Sequence, residues 1–244
     1  MTTLDDLQGH WTRAWIKAPG FEDHTTHVHW MQYGSTYADV RIPSDLPDLT
    51  GAASLSDLDP RTLLALMASE GFAGTIAVQD SVCTWTRAIN WHGTPQTIDA
   101  GRMWFDDAGG LIEDGVHADY RELWNASKDP TESALVFETG GQQGFLLASA
   151  THFVLALDVR GAASRMPLIT ALESGRVPDE LLGCFDCVYA FGDWIGADGV
   201  ARYATNPLMQ GKPVVTRGRN GIKIHTQTFG GAERSFTVDD LVSA

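Results

Sequence analysis

In the first half of the chain, arginines alternate with tryptophans at period-two spacing. Trp11, Arg13 and Trp15 follow that pattern, as do Trp85, Arg87, Ile89 and Trp91, and Tyr37, Asp39 and Arg41. Trp30 with Gln32, and Tyr120 with Glu122 and Trp124, complete the set. Alternate side chains of a strand share one face. The aromatic residues mark these faces as buried, so Arg13, Arg41, Arg87, Asp39 and Glu122 are expected to point inward with them. Buried charge is costly unless it is paired and hydrogen-bonded. Three guanidiniums against two carboxylates leave one positive charge. Glu113, or an anionic or carbonyl-bearing ligand, would neutralise it. One reading is a self-satisfied ion-pair network that fixes strand register. The other is a pocket with aromatic walls and a few convergent polar groups, the usual make-up of a small-molecule site. Its ligand-binding residues would be Trp11, Arg13, Trp30, Gln32, Tyr37, Asp39, Arg41, Trp85, Arg87 and Trp124. Glu113, Tyr120 and Glu122 are the candidate catalytic residues. A carboxyl group in an apolar barrel has a raised pKa and works as acid or base near neutral pH. Ordinary hydrogen-bonded barrel carboxylates are the plainer alternative.

The other chemistry-bearing motifs are weaker. His24, His27 and His29 look like a metal cluster. On a strand, however, His27 and His29 face away from Trp30 and Gln32, so surface histidines are the expectation and no metal is assigned. Cys184 and Cys187 form a C-x-x-C. A redox pair should open a helix in a βαβ setting, and a zinc site needs a second ligand pair. Neither is visible, so both are read as thiols on an ordinary strand. No G-x-S-x-G, P-loop or H-E-x-x-H occurs, and no cofactor is expected.

Short alternating strands must position these residues. They run over Gly9–Ile16, His27–Tyr33, Tyr37–Ile42, Phe72–Asp80, Val82–Trp91, Ile98–Phe105, Gly110–Gly115 and His117–Asn125. Asp59 and Pro60 open a short helix, as cap and first helical residue, and Gly71 is expected to end it. The polar segment Asn125–Glu132 is the candidate boundary. Beyond it the pattern restarts at Ala134–Glu138, Gly144–Ala150 and His152–Val159. A second short helix over Pro167–Glu173 follows, and then strands at Gly183–Gly192, Gly199–Thr205, Pro213–Thr216, Gly221–Thr228 and Ser235–Val238. Asp39-Val40-Arg41 recurs as Asp158-Val159-Arg160. Cys83 and Cys187 each follow a glycine, Gly71 and Gly175, by 12 residues. The expected fold is all-β, mainly antiparallel, with one or two short helices. Its two halves, 1–128 and 129–244, would form tandem lipocalin-like barrels, since closure removes exposed edges. A single β-sandwich is the rival.

The chain has 244 residues and a formal net charge of −14. That balance argues against nucleic acid and against an anionic membrane surface. The acidic N-terminus lacks a secretory pattern. With three cysteines, an odd number, it points to reduced thiols and a cytoplasmic protein. The expected partner is a small molecule, and the chain itself would be a monomer or homodimer.

Gly9-His-Trp11-Thr-Arg13, Val28-His-Trp30-Met-Gln32 and Tyr37-Ala-Asp39-Val-Arg41-Ile-Pro43 resemble a group of bacterial proteins of unknown function. These are relatives of a fungal kinase-interacting protein with two lipocalin-like (calycin-type) barrels. Cys83-Thr-Trp85-Thr-Arg87, Asp99-Ala-Gly101, Ile112-Glu113-Asp-Gly115, Tyr120-Arg-Glu122-Leu-Trp124 and Tyr189-Ala-Phe191-Gly192 fit the same pattern. The resemblance implies two packed barrels and no established reaction. Three functions follow: a ligand carrier, an isomerase, cyclase or hydratase using the barrel carboxylates, or an interaction protein with a fully packed core.

Overall fold

Alternation of apolar and polar residues builds strands whose inner faces must be covered, and here each run of strands covers its own by rolling up. The computed structural model describes residues 1–219 and 221–238. The first sheet contains β1 (Gly9–Ala18), β2 (Phe21–Asp23), β3 (His27–Tyr33), β4 (Thr36–Ile42), β5 (Glu70–Gln79), β6 (Val82–Asn90), β7 (Asp99–Phe105), β8 (Leu111–Gly115) and β9 (Arg121–Ala126). β9 pairs back onto β1 and closes an eight-stranded barrel, with β2 as a short flap on the end of β1. The second sheet contains β10 (Ser133–Thr139), β11 (Gln142–Ala148), β12 (His152–Asp158), β13 (Val188–Ile195), β14 (Asp198–Ala204), β15 (Pro213–Gly218), β16 (Gly221–Gln227) and β17 (Glu233–Val238). Each strand pairs antiparallel with the next, giving a second, near-closed barrel. The structure is thus two lipocalin-like barrels in tandem, and a single sandwich is ruled out.

Helix α1 (Pro60–Leu66) follows the third strand of the first barrel and α2 (Met166–Glu173) the third strand of the second. Asp59 accepts a hydrogen bond from the Thr62 amide and caps α1. The expected stop at Gly71 is wrong: Met67 caps the helix and Gly71 lies inside β5. The two barrels share a further irregularity. A register shift at Ala73/Gly74 in β5 recurs at Phe191/Gly192 in β13, the equivalent strand. A Cβ on Gly74 or Gly192 would lie 2.0 Å from the partner strand's carbonyl oxygen, so both positions need glycine.

That register overturns the equivalences drawn from sequence. Asp39 points into the first barrel, whereas Asp158 points out of the second, towards Arg165 and Tyr189. Cys83 lies inside the first barrel on β6, while Cys187 precedes β13. Cys184 sits in a 3-10 turn rather than on a strand.

Three apolar cores result. One fills each barrel, and the third joins them. The joining core packs the outer faces of β3, β4 and β5 against those of β11, β12 and β13, with α1 against α2 at its rim. Gly71 lies against this core, where an added Cβ would come within 2.4 Å of the Tyr189 ring. Tyr189 is fully buried and cannot swing away. Gly71→Ala is therefore expected to destabilise the protein by about 1–3 kcal/mol, the usual cost of overpacking. Urea unfolding measures it.

Candidate functional site

The first barrel is plugged at one end and polar at the other. The 3-10 turn Asp5–Leu7 buries Leu7 at the plugged end, where the Trp11 Nε1–H donates to the Leu7 carbonyl. Gln32 lies at the same end and donates to the Gly34 carbonyl at 2.6 Å. Trp11 and Gln32 thus belong to the plug and meet the cleft expected to include them only from behind Trp30, which stacks on Trp11 and donates to Gln32 Oε1 at 3.3 Å. Tyr37 is fully buried in the apolar core, and its hydroxyl has no hydrogen-bond partner among the described residues.

At the opposite end, Trp30, Asp39, Arg41, Trp85, Arg87 and Trp124 line a cleft of about 50 Å3 together with Phe72, Asp99 and Glu113. Arg41 donates from Nε and Nη2 to the two oxygens of Asp39, at 3.0 and 3.2 Å. Arg87 pairs with Asp99 and lies over the Phe72 ring, 3.6 Å from its centroid. Arg13 sits beside the cleft and bridges Asp23 at 2.9 Å and Glu122 at 2.8 Å. Glu122 also approaches Arg41 at 3.8 Å.

Two β-bulges correct the expected faces. A register shift between Arg13 and Trp15 turns Trp15 out of the barrel. The shift opposite Ala73/Gly74 separates Ile89 and Trp91 from Trp85 and Arg87 and sends both into the joining core.

The charge count also reverses. Asp23, Asp39, Asp99, Glu113 and Glu122 stand against Arg13, Arg41 and Arg87, five carboxylates to three guanidiniums. Glu113 and Glu122 are direct cross-strand partners on β8 and β9. Like charges in that position repel, and Glu122 holds both nearby arginines. Glu113 instead meets neutral groups: the Tyr120 hydroxyl donates to its Oε1 at 2.7 Å and the Trp124 Nε1–H to its Oε2 at 3.1 Å. Burial, with Glu122 opposite, pushes the Glu113 carboxyl up to about 8. Burial also raises Glu122, against the pull of Arg41 and Arg13. Glu113 is therefore the group that carries a proton at neutral pH. Once protonated, it donates to Tyr120, and the bond between them reverses.

No family model and no curated protein matches the chain. A solved structure, the uncharacterized protein YLR301w of Saccharomyces cerevisiae, is similar at 10% identity, with a TM-score of 0.47, over 76% of this chain and 80% of that one. A likeness so distant says nothing about the cleft.

Asp23, Phe72 and Asp99 are the site residues that sequence reasoning missed. Alternation back from inward-facing Met103 through Gly101 reaches Asp99, so that signal was present on β7. The Arg87–Asp99 pair is also shared with an outer groove of about 170 Å3, lined by Ile98, His117 and Tyr120 among others. It stands between the groove and the inner cleft. Ile98, in the groove's lining, exposes apolar surface.

The histidines depart from expectation. His24 is exposed. His29 is half-buried between the barrels and stacks on Phe191 of β13 at 3.6 Å, while His27 stacks on Tyr203 at 4.2 Å. His10 and His29 share a ring-to-ring hydrogen bond of 3.0 Å. They are outward-facing, as expected, but the outside of the first barrel is here the inside of the molecule. Among the described residues, no group of three or more His, Cys, Asp or Glu side chains is placed to hold a metal. Also among them, no helix is long and apolar enough to cross a membrane.

Proposed function

We propose that the protein is a cytoplasmic binder of small organic amines. The amine's apolar part would lie in the outer groove and its ammonium in the inner cleft, against Glu113. The observation that carries this reading is the lining of the cleft, Asp39, Asp99 and Glu113 against Arg41 and Arg87 within aromatic walls, with Glu113 the one lining acid that lacks a cationic partner among the described residues. Such a site repels the anion anticipated from the arginines and attracts a cation, which Trp30, Trp85 and Trp124 would hold by their ring faces. The inner cleft, about 50 Å3, takes only the end of a molecule, and the Arg87–Asp99 pair must part to admit it. Three free thiols, Cys83, Cys184 and Cys187, fit a reducing compartment.

An ammonium beside Glu113 favours its ionised form. Amine binding at pH 7 is therefore expected to release close to one proton. Calorimetric titration with benzylamine in buffers of different ionisation enthalpy reads this directly. Wild type should show a buffer-dependent enthalpy and Glu113→Gln none. Equal, buffer-independent enthalpies in both would contradict the placement at Glu113.

A second reading rests on the Glu113–Tyr120 contact of 2.7 Å. A carboxyl raised to about 8 can take up or give a proton near neutral pH, while burial and Glu113 keep the Tyr120 phenol protonated as a hydrogen-bond donor. On this reading the same cleft would catalyse an isomerisation or hydration. Turnover by wild type but not by Glu113→Gln separates it from a carrier.

A further inference from the structure

Four polar side chains from four successive strands of the second barrel form a continuous chain far from the first-barrel cleft in sequence. The Thr216 hydroxyl of β15 donates to Asp198 Oδ1 of β14 at 2.8 Å. A hydroxyl has one proton, so Thr216 Oγ1 must accept its next bond. That bond comes from His225 Nε2 of β16, 3.0 Å away. Nε2 therefore carries the imidazole proton, and Nδ1 is left as an acceptor. Ser235 Oγ of β17 lies 3.1 Å from Nδ1, so the serine proton is directed at it. Strand register holds the chain in place, because Asp198 is the cross-strand partner of Thr216, and His225 of Ser235. The direction of every bond follows from the terminal carboxylate, which can only accept.

All four residues line one pocket of about 310 Å3. That is the lower end of the range for small-molecule sites. Ser235 is exposed to it, and His225 is half-buried behind. Burial lowers the His225 pKa, with Lys223 adding to the effect and Asp198 and Glu233 opposing it, so the ring is neutral and free to accept a proton.

We propose that this pocket is a second functional site, in which Ser235 is a nucleophile towards small esters and His225 its general base. Ser235 Oγ would bond to the ester carbonyl carbon as its proton passes to His225 Nδ1. Collapse of the tetrahedral adduct would break the bond to the alkoxy oxygen, which takes that proton and leaves as alcohol. Water would repeat the sequence on the acyl-serine and release the acid. The balance is ester plus water to acid plus alcohol, with no other reactant. Thr216 and Asp198 are positioning residues that fix the tautomer.

The test is labelling of the full-length protein with a fluorophosphonate, followed by peptide mapping, alongside hydrolysis of p-nitrophenyl acetate. Wild type is expected to be labelled at Ser235, and Ser235→Ala to lose both label and hydrolysis. His225→Gln should slow both by about 100-fold, the lower range for loss of a general base. Ser235 is exposed, so its alanine variant folds. Absence of label at Ser235 in wild type, or equal labelling rates in wild type and His225→Gln, would overturn the proposal.

Discussion

Arg13→Met is expected to cost about 3–5 kcal/mol of folding free energy, the range for breaking one side of a buried ion pair. The Arg13 side chain is only 7% exposed and holds two carboxylates, Asp23 and Glu122. Removing it leaves Glu122 facing Glu113 across the strand pair with only the more distant Arg41 at 3.8 Å. Asp23 suffers less, because the amides of Thr25 and Thr26 still donate to it. Glu122 is thus the source of most of the loss. It follows that Arg13→Met combined with Glu122→Met recovers most of the stability, since an apolar pair of similar length replaces the charges. Denaturant unfolding of the two single variants and the double variant checks this. Additive losses in the double variant would show that the network is not what Arg13 supports.

The second large effect is acid sensitivity of the contact between barrels. Burial, followed by repulsion from His152, lowers His10 to about 4. Burial and His10 lower His29 to about 2. Asp129 faces His10 and opposes its shift, while His27, Arg202 and His152 add to that of His29. In the unfolded chain an imidazole takes up its proton near pH 6.5. The folded His10 stays neutral until about pH 4. Stability is therefore full above pH 6.5 and is lost as pH falls from there towards 4, by about 3 kcal/mol for His10 alone. Glu113 works in the opposite direction over part of this range, since its folded pKa is raised and acid favours the folded form. A comparison with His10→Phe cancels that contribution. Between pH 6.5 and 4, wild type should lose about 3 kcal/mol more than the variant. Parallel profiles would mean that the imidazole is not held neutral by the interface.

Much of the cleft was legible in the alternation of single strands. Trp30, Asp39, Arg41, Trp85, Arg87, Glu122 and Trp124 all lie on the faces that their spacing implies. Where the structure departs from simple alternation, the causes are physical. Trp15, Ile89 and Trp91 lie on the opposite face because a bulge inserts one residue and reverses parity; nothing on the bulged strand marks it, and for Ile89 and Trp91 the trace is Gly74 on the paired strand. Asp23 was missed because β2 has only three residues, too few to show a period. The charge sign came out reversed because it depended on those missed carboxylates. His27 and His29 were placed correctly relative to their own strand, yet their burial comes from Phe191 and Tyr203 on the other barrel. How two barrels dock depends on surfaces distant in sequence, so periodicity within one strand carries no trace of it. The tandem architecture was visible all the same, since the placement of a helix after the third strand repeats even though the tripeptides that first drew attention do not superpose.

Selection of a cation by the first-barrel cleft is tested most directly by one titration. Tryptophan fluorescence is followed while benzylamine and benzoate, matched in shape and opposite in charge, are added separately at pH 7. Trp30, Trp85 and Trp124 line the cleft and report its occupation. Saturable quenching by benzylamine, absent with benzoate and weakened in Glu113→Gln, is the expected result. Saturable binding of benzoate as tight as that of benzylamine, or of neither, would contradict the account.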